Sequence, residues 1–144
     1  MQKIILSLAV LLSSNSIFAQ TIDVSSPDGK IVLNVNDEGK PSYKINFAGE
    51  SIIKTSRLGM AFKDTMPFSD GFTISASQKE SANEVWQLPW GERKNVTDYH
   101  NELLVTFAAS DKADAKKFRV RFRLFNDGVG FRYEVPKPKD LDQV

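Results

Sequence analysis

Phe118-Arg119-Val120-Arg121-Phe122-Arg123-Leu124 is followed by Phe125-Asn126-Asp127-Gly128 and then by Val129-Gly130-Phe131-Arg132-Tyr133-Glu134-Val135. Apolar and polar residues alternate with period two on both sides of the Asn-Asp-Gly triplet, the repeat of a pleated strand rather than the 3.6 of a helix. Asn and Gly tolerate positive φ, so the triplet reads as a tight hairpin turn. One face of the pair carries Phe118, Val120, Phe122, Leu124, Val129, Phe131, Tyr133 and Val135. Burying such a side chain contributes about 1.5–3 kcal/mol, so this face is expected to be core. The other face carries Arg119, Arg121, Arg123 and Arg132 with Glu134. It has two readings: a solvated charged surface, or a surface that docks on another domain through weakly hydrated, bidentate guanidinium groups.

The same period runs upstream. Ile31, Leu33 and Val35 alternate with Val32, Asn34 and Asn36, and Tyr43, Ile45 and Phe47 share one side of Ser42–Phe47. Ser26-Pro27-Asp28-Gly29 and Asp37-Glu38-Gly39-Lys40-Pro41 supply turns, and Gly49-Glu50 is expected to turn the chain into a strand at Ser51–Ser56. A short first strand fits Ile22–Ser25. The longest strands are expected late, around Glu84–Leu88, Tyr99–Ala109 and Lys116–Pro136. No helical spacing is sustained and no repeat of about 20–50 residues is visible. The expectation is an all-β, antiparallel β-sandwich.

The N-terminus reads differently. Lys3, the apolar run Ile4–Leu12, a Ser/Asn stretch and Ala19 form a basic start, an apolar segment and a small residue before a cut. That is the pattern of a secretory signal peptide, too short for the roughly 20 residues of a spanning helix. Cleavage after Ala19 leaves 125 residues (144 − 19), enough for one domain and too few for a (β/α)₈ barrel of about 250. The mature protein is therefore expected outside the cytoplasm, periplasmic or extracellular, with no membrane span.

Lys and Arg total 19 against 18 Asp and Glu, so the formal charge is +1, without the basic excess of a nucleic-acid binder. With no Cys and one His, thiol nucleophiles, disulfides, Cys-based zinc and multi-histidine metal sites are excluded. Oxygen ligands and carboxylate chemistry remain.

Five segments occur in an order that resembles the N-terminal domain of glycoside hydrolase family 97. They are Ser26-Pro27-Asp28-Gly29-Lys30, Ser56-Arg57-Leu58-Gly59-Met60, Glu84-Val85-Trp86-Gln87-Leu88-Pro89-Trp90-Gly91-Glu92, Tyr99-His100-Asn101-Glu102-Leu103, and Phe122 through Glu134. The resemblance implies a β-super-sandwich similar to galactose mutarotase domains, placed before a catalytic (β/α)₈ barrel and a smaller C-terminal β domain. It implies α-glucosidase or α-galactosidase activity on α-linked glycans, with calcium in the full-length enzyme. The family's metal-binding glutamate from this domain falls downstream of Val144, so no residue here inherits a metal role. Residues 20–144 are then a domain incomplete at its C-terminal end, inactive as a hydrolase by itself.

Glycoside hydrolysis needs two carboxyl groups at a set separation, about 5–5.5 Å for retention or 6.5–9.5 Å for inversion. Glu84, Glu92, Glu102 and Glu134 lie in matching segments, but ion pairing explains each better than catalysis. His100 lacks an identified partner, and no catalytic residue is assigned. Trp86 and Trp90 admit two readings: a sugar-facing wall completed by Glu92, Arg93 or Asn95, or interdomain and core packing. The candidates for a carbohydrate-facing or docking surface are thus Trp86, Trp90, Glu92, Arg93, Arg119, Arg121 and Arg123. A stand-alone carbohydrate-binding or structural module is the alternative to a piece of an enzyme.

Overall fold

Period-two alternation organises the chain into eight strands in a computed structural model that describes residues 20–61, 63, 68–90, 94–109 and 115–136. They are β1 (Thr21–Ser25), β2 (Ile31–Asn36), β3 (Ser42–Phe47), β4 (Glu50–Arg57), β5 (Thr73–Gln87), β6 (Asn95–Ala108), β7 (Lys117–Leu124) and β8 (Val129–Glu134). Among the described residues there is no helix. Two four-stranded antiparallel meanders form, in the orders β1-β2-β3-β4 and β5-β6-β7-β8. Each strand pairs with its sequence neighbour, so short connections suffice.

The inward residues of the two sheets make one core. Ile22, Val24, Ile31, Leu33, Val35 and Ile45 come from the first sheet, and Leu103, Val105, Phe107, Phe118, Val120, Phe122 and Leu124 from the second. Phe118 has no exposed surface and sits among the rings of Phe107 (5.0 Å between centroids), Phe72 (5.3 Å), Phe68 (6.1 Å) and Tyr133 (6.1 Å). Offset and tilted pairs at these separations add to simple burial.

The turns have local causes. Ser26 is buried, its Oγ donates to Asp28 Oδ1 at 2.6 Å and accepts from the Ile31 N–H at 3.0 Å, and the Gly29 N–H closes on Ser26 O at 2.9 Å. Gly29 has φ +74°, which a Cβ would disfavour. The β3–β4 turn is Ala48-Gly49, one residue earlier than the sequence suggests, with φ +49° and +88° at its two central positions. The Asp28 N–H also donates to Asn126 Oδ1 at 3.0 Å, which ties the first turn to the β7–β8 turn across the sandwich.

Besides that turn, three expectations change, and the first is that β6 begins at Asn95, four residues before the expected Tyr99. β5 begins at Thr73, eleven residues before the expected Glu84, because Ser75–Ser81 is exposed throughout and nothing selects apolar side chains there. Phe131 and Val135 lie on the predicted side of β8 but remain 44% and 47% exposed. β8 is the last strand of its sheet, so among the described residues its outer flank has no neighbour.

Candidate functional site

The second sheet outgrows the first. β7 ends at Leu124, opposite Asn101, while β5 and β6 stay paired from Ala82↔His100 to Gln87↔Asn95. Asn101 marks the rim of the sandwich, where its Nδ2 donates to Ser25 O at 2.9 Å. Beyond it the two strands form a projecting hairpin arm of about 20 Å at roughly 3.4 Å per residue. The Leu88 N–H donates to Lys94 O at 2.9 Å and closes the base of the tip.

Alternation gives the arm apolar groups on both sides. Val85 and Tyr99 face one way, 63% and 44% exposed; Trp86 and the half-buried Val96 face the other, with Trp86 45% exposed. Leu88 follows, and Trp90 stands at the tip with 82% of its surface open. The structure therefore places Trp86 and Trp90 together on one arm and outside the core. Glu92 and Arg93 lie outside the described residues.

The arginine face is a different kind of surface. β6 contributes Glu102, opposite Arg123 in the register, and β8 contributes Glu134, opposite Arg119. Arg121 contacts Glu102 through Nη1 and Glu134 through Nε, the latter at 2.7 Å. Arg123 Nε donates to the other Glu102 oxygen at 2.8 Å; Arg132 and Arg119 reach Glu134 at 3.0 and 3.6 Å. Burial raises the Glu102 pKa, but hydrogen bonds and charge from Arg123 and Arg121 outweigh it and hold the carboxyl below its ordinary value. At Glu134 the hydrogen bond from Arg121 is the largest cause of a downward shift, with Arg132 adding to it and burial opposing it. Arg121 is raised in turn, chiefly by Glu134. These four arginines are ion-paired within the sheet to two carboxylates, which leaves the face a positive excess, and only Arg119 Nε is buried without a partner among the described residues.

The same face extends to His100, which is 3% exposed. Its Nδ1 is hydrogen-bonded to Asp98, its Nε2 lies 3.9 Å from Glu102, and its ring centroid is 5.1 Å from that of Phe125. Sequence reasoning gave His100 no partner. The signal was available in the spacing, since Asp98, His100 and Glu102 at i, i+2 and i+4 must share one strand face. Glu102 was expected to pair, as it does, yet it is also buried.

This arrangement suits structure better than acid catalysis. Glu102 and Glu134 are held ionised, so neither keeps a proton to donate to a leaving group near neutral pH. Among the described residues no group of three or more His, Asp or Glu side chains is disposed to hold a metal ion.

Comparison with known proteins places this geometry. The family Glycosyl-hydrolase 97 N-terminal matches residues 24–144. The chain belongs to that family. A glycoside hydrolase family 97 enzyme from Pseudoalteromonas sp. strain K8, solved in complex with panose, shares 48% identity and superposes with a TM-score of 0.77 over 83% of this chain and 18% of its own. A β-arabinopyranosidase structure shares 26% identity with a TM-score of 0.69, over 81% of this chain and 18% of its own. A retaining α-galactosidase from Bacteroides thetaiotaomicron is 24% identical over 134 residues, 92% of this chain and 19% of that protein. This chain thus spans about a fifth of the length of these relatives.

Proposed function

We propose that this chain is the non-catalytic N-terminal domain of an exported glycoside hydrolase, and that it supports the substrate site by docking on a downstream (β/α)₈ barrel through its hairpin arm. The observation that carries the reading is the arm itself, with Val85, Trp86, Leu88, Trp90 and Tyr99 all between 41% and 82% exposed. A two-stranded ribbon is marginal in water, and apolar groups on both faces are the pattern of strands covered from both sides. The arginine face, whose guanidinium groups are already engaged by Glu102 and Glu134, is the weaker docking candidate of the two. Export rests on the leader-like residues 1–19, which lie outside the described part.

The substrates under this reading are α-glucosides or α-galactosides. The 48% identical enzyme bound to panose, a glucose trisaccharide with α linkages, favours the former. Under this reading the paired catalytic carboxylates and the calcium implied for the full-length enzyme belong to the downstream part.

Trp86 and Trp90 are the two tryptophans of the chain, so intrinsic fluorescence reports on the arm alone. The emission contributed by Trp86 and Trp90, taken as the difference between each protein and its Trp86→Phe/Trp90→Phe variant, should lie to the blue and resist acrylamide quenching in the longer protein relative to the 144-residue chain, and the longer protein alone should hydrolyse α-glucosides or α-galactosides. Equal quenching in the two proteins would remove the docking role. Turnover by the 20–144 product, abolished by changing one of its own carboxylates, would remove the non-catalytic assignment. Saturable quenching of the 144-residue chain by α-linked oligosaccharides would instead favour a stand-alone carbohydrate-binding module.

A further inference from the structure

In an Asp-Gly pair the backbone can attack its own side chain, because glycine has no Cβ to shield its nitrogen and lets the chain bring that nitrogen onto the aspartyl carboxyl carbon. The chain contains three such pairs, Asp28-Gly29, Asp70-Gly71 and Asp127-Gly128, and no Asn-Gly. Local sequence makes the three alike. The fold treats them differently.

Two of the aspartates are held. Asp28 Oδ1 accepts from Ser26 Oγ at 2.6 Å and from the Lys30 N–H at 3.1 Å, its Oδ2 lies 3.5 Å from Lys30 Nζ, and the Gly29 N–H is committed to Ser26 O at 2.9 Å. Asp70 Oδ2 accepts from Lys40 Nζ at 2.9 Å. The hydrogen bond from Ser26 is the largest cause that holds the Asp28 carboxyl below its ordinary pKa, and the one from Lys40 does the same for Asp70. Both restraints oppose attack, since the carbon of a carboxylate is a poor electrophile and a fixed carboxylate does not turn toward the next nitrogen.

Asp127 lacks these restraints. It is exposed in the β7–β8 turn, and among the described residues its carboxyl makes no hydrogen bond and no ion pair. The Gly128 carbonyl accepts from the Phe125 N–H at 2.8 Å, but the Gly128 N–H has no backbone partner among the described residues. A Cβ placed on Gly128 would meet nothing within 4 Å, so the space beside its nitrogen is open.

We propose that Asp127-Gly128 is a site of spontaneous modification, at which Asp127 converts to isoaspartate with water as the only reagent. The Gly128 nitrogen bonds to Cγ of the acid form of Asp127, and the amide proton and the carboxyl hydroxyl leave together as water, closing a succinimide ring. Water then adds to one of the two ring carbonyls and the C–N bond at that carbonyl breaks. Opening at Cγ restores aspartate; opening at the main-chain carbonyl leaves the chain running through Cγ, with the original main-chain carboxyl as the side group. The product carries an extra methylene in the main chain, inside the loop that the Phe125 N–H and Gly128 O close. It also adjoins Asn126, whose Oδ1 accepts the Asp28 N–H at 3.0 Å, so conversion loosens the tie between the first turn and this one. None of this depends on how the arm docks.

Ageing the 144-residue chain in warm neutral buffer tests it, with peptide mapping to separate isoaspartyl from aspartyl peptides of equal mass. The tryptic peptide Leu124–Arg132 carries Asp127 as its only acidic residue. Asp127 should convert at least about fivefold faster than Asp28 or Asp70, the factor that one net hydrogen bond supplies. In denaturing urea the three rates should converge. Gly128→Ala should suppress conversion and still fold, because the position is open and its φ lies outside the left-handed region. Native rates that do not favour Asp127, an equal preference for Asp127 in urea, or undiminished conversion in a folded Gly128→Ala chain overturns the proposal.

Discussion

Replacing Phe118 and Phe47 by Ala deletes the same atoms from two different environments. Phe118 is fully buried among four aromatic rings, whereas Phe47, at the end of β3, is 44% exposed. Loss of a buried ring combines the transfer free energy with the cost of the cavity left behind, so Phe118→Ala is expected to cost about 3–5 kcal/mol. Water fills the space left by Phe47, and roughly half of a 1.5–3 kcal/mol burial is lost, about 0.8–1.5 kcal/mol. Urea unfolding followed by far-UV circular dichroism measures both, with the m-value checked for constancy. Phe118→Ala should shift the midpoint roughly two- to sixfold further than Phe47→Ala. Equal shifts, or a cost at Phe118 below about 1.5 kcal/mol, would refute the placement of the core between the two sheets.

The Glu102 and Glu134 carboxyls are held below their ordinary pKa, so their contribution is complete above the unfolded value of about 4.3 and is lost as pH falls through the folded values. Urea midpoints should be flat near neutrality and drop below about pH 5, with a shallower drop in Glu102→Gln; an unchanged slope in that variant would refute the assignment. Gly59→Ala would put a Cβ 2.6 Å from Phe68 O, and the forced shift should cost about 1–3 kcal/mol in the same assay. Trp86→Ala, on the arm, should leave the urea midpoint of the 144-residue chain within about 1 kcal/mol while weakening any association with a separately produced downstream domain. A large loss of stability would place Trp86 in the core instead.

Much of the fold is legible because a strand buried on one face must alternate. β2 and β7 follow that rule in sequence and in burial, β3 and β8 in sequence only, and β1 and β4 are marked by their turns. β5 fails the rule, since a strand exposed along most of its length places no demand on period. The candidate site was legible as residue types only. The arginines and glutamates announced a charged face, while the buried pairing of Glu102 with Arg121 and Arg123 depended on strand register.

By itself, then, the sequence determined the all-β class, the hairpins, the inward face of β7 and the family resemblance, all consequences of local periodicity, turn chemistry and residue order. Tertiary structure decided what periodicity cannot encode: how far each strand extends past its neighbours and which flank is left open. That is why Trp86 and Trp90 project on an arm instead of filling the core, and why Phe131, on the correct side of its strand, stays half exposed. A side chain's direction is fixed by its own backbone, but its burial is fixed by whichever strand lies beside and across from it.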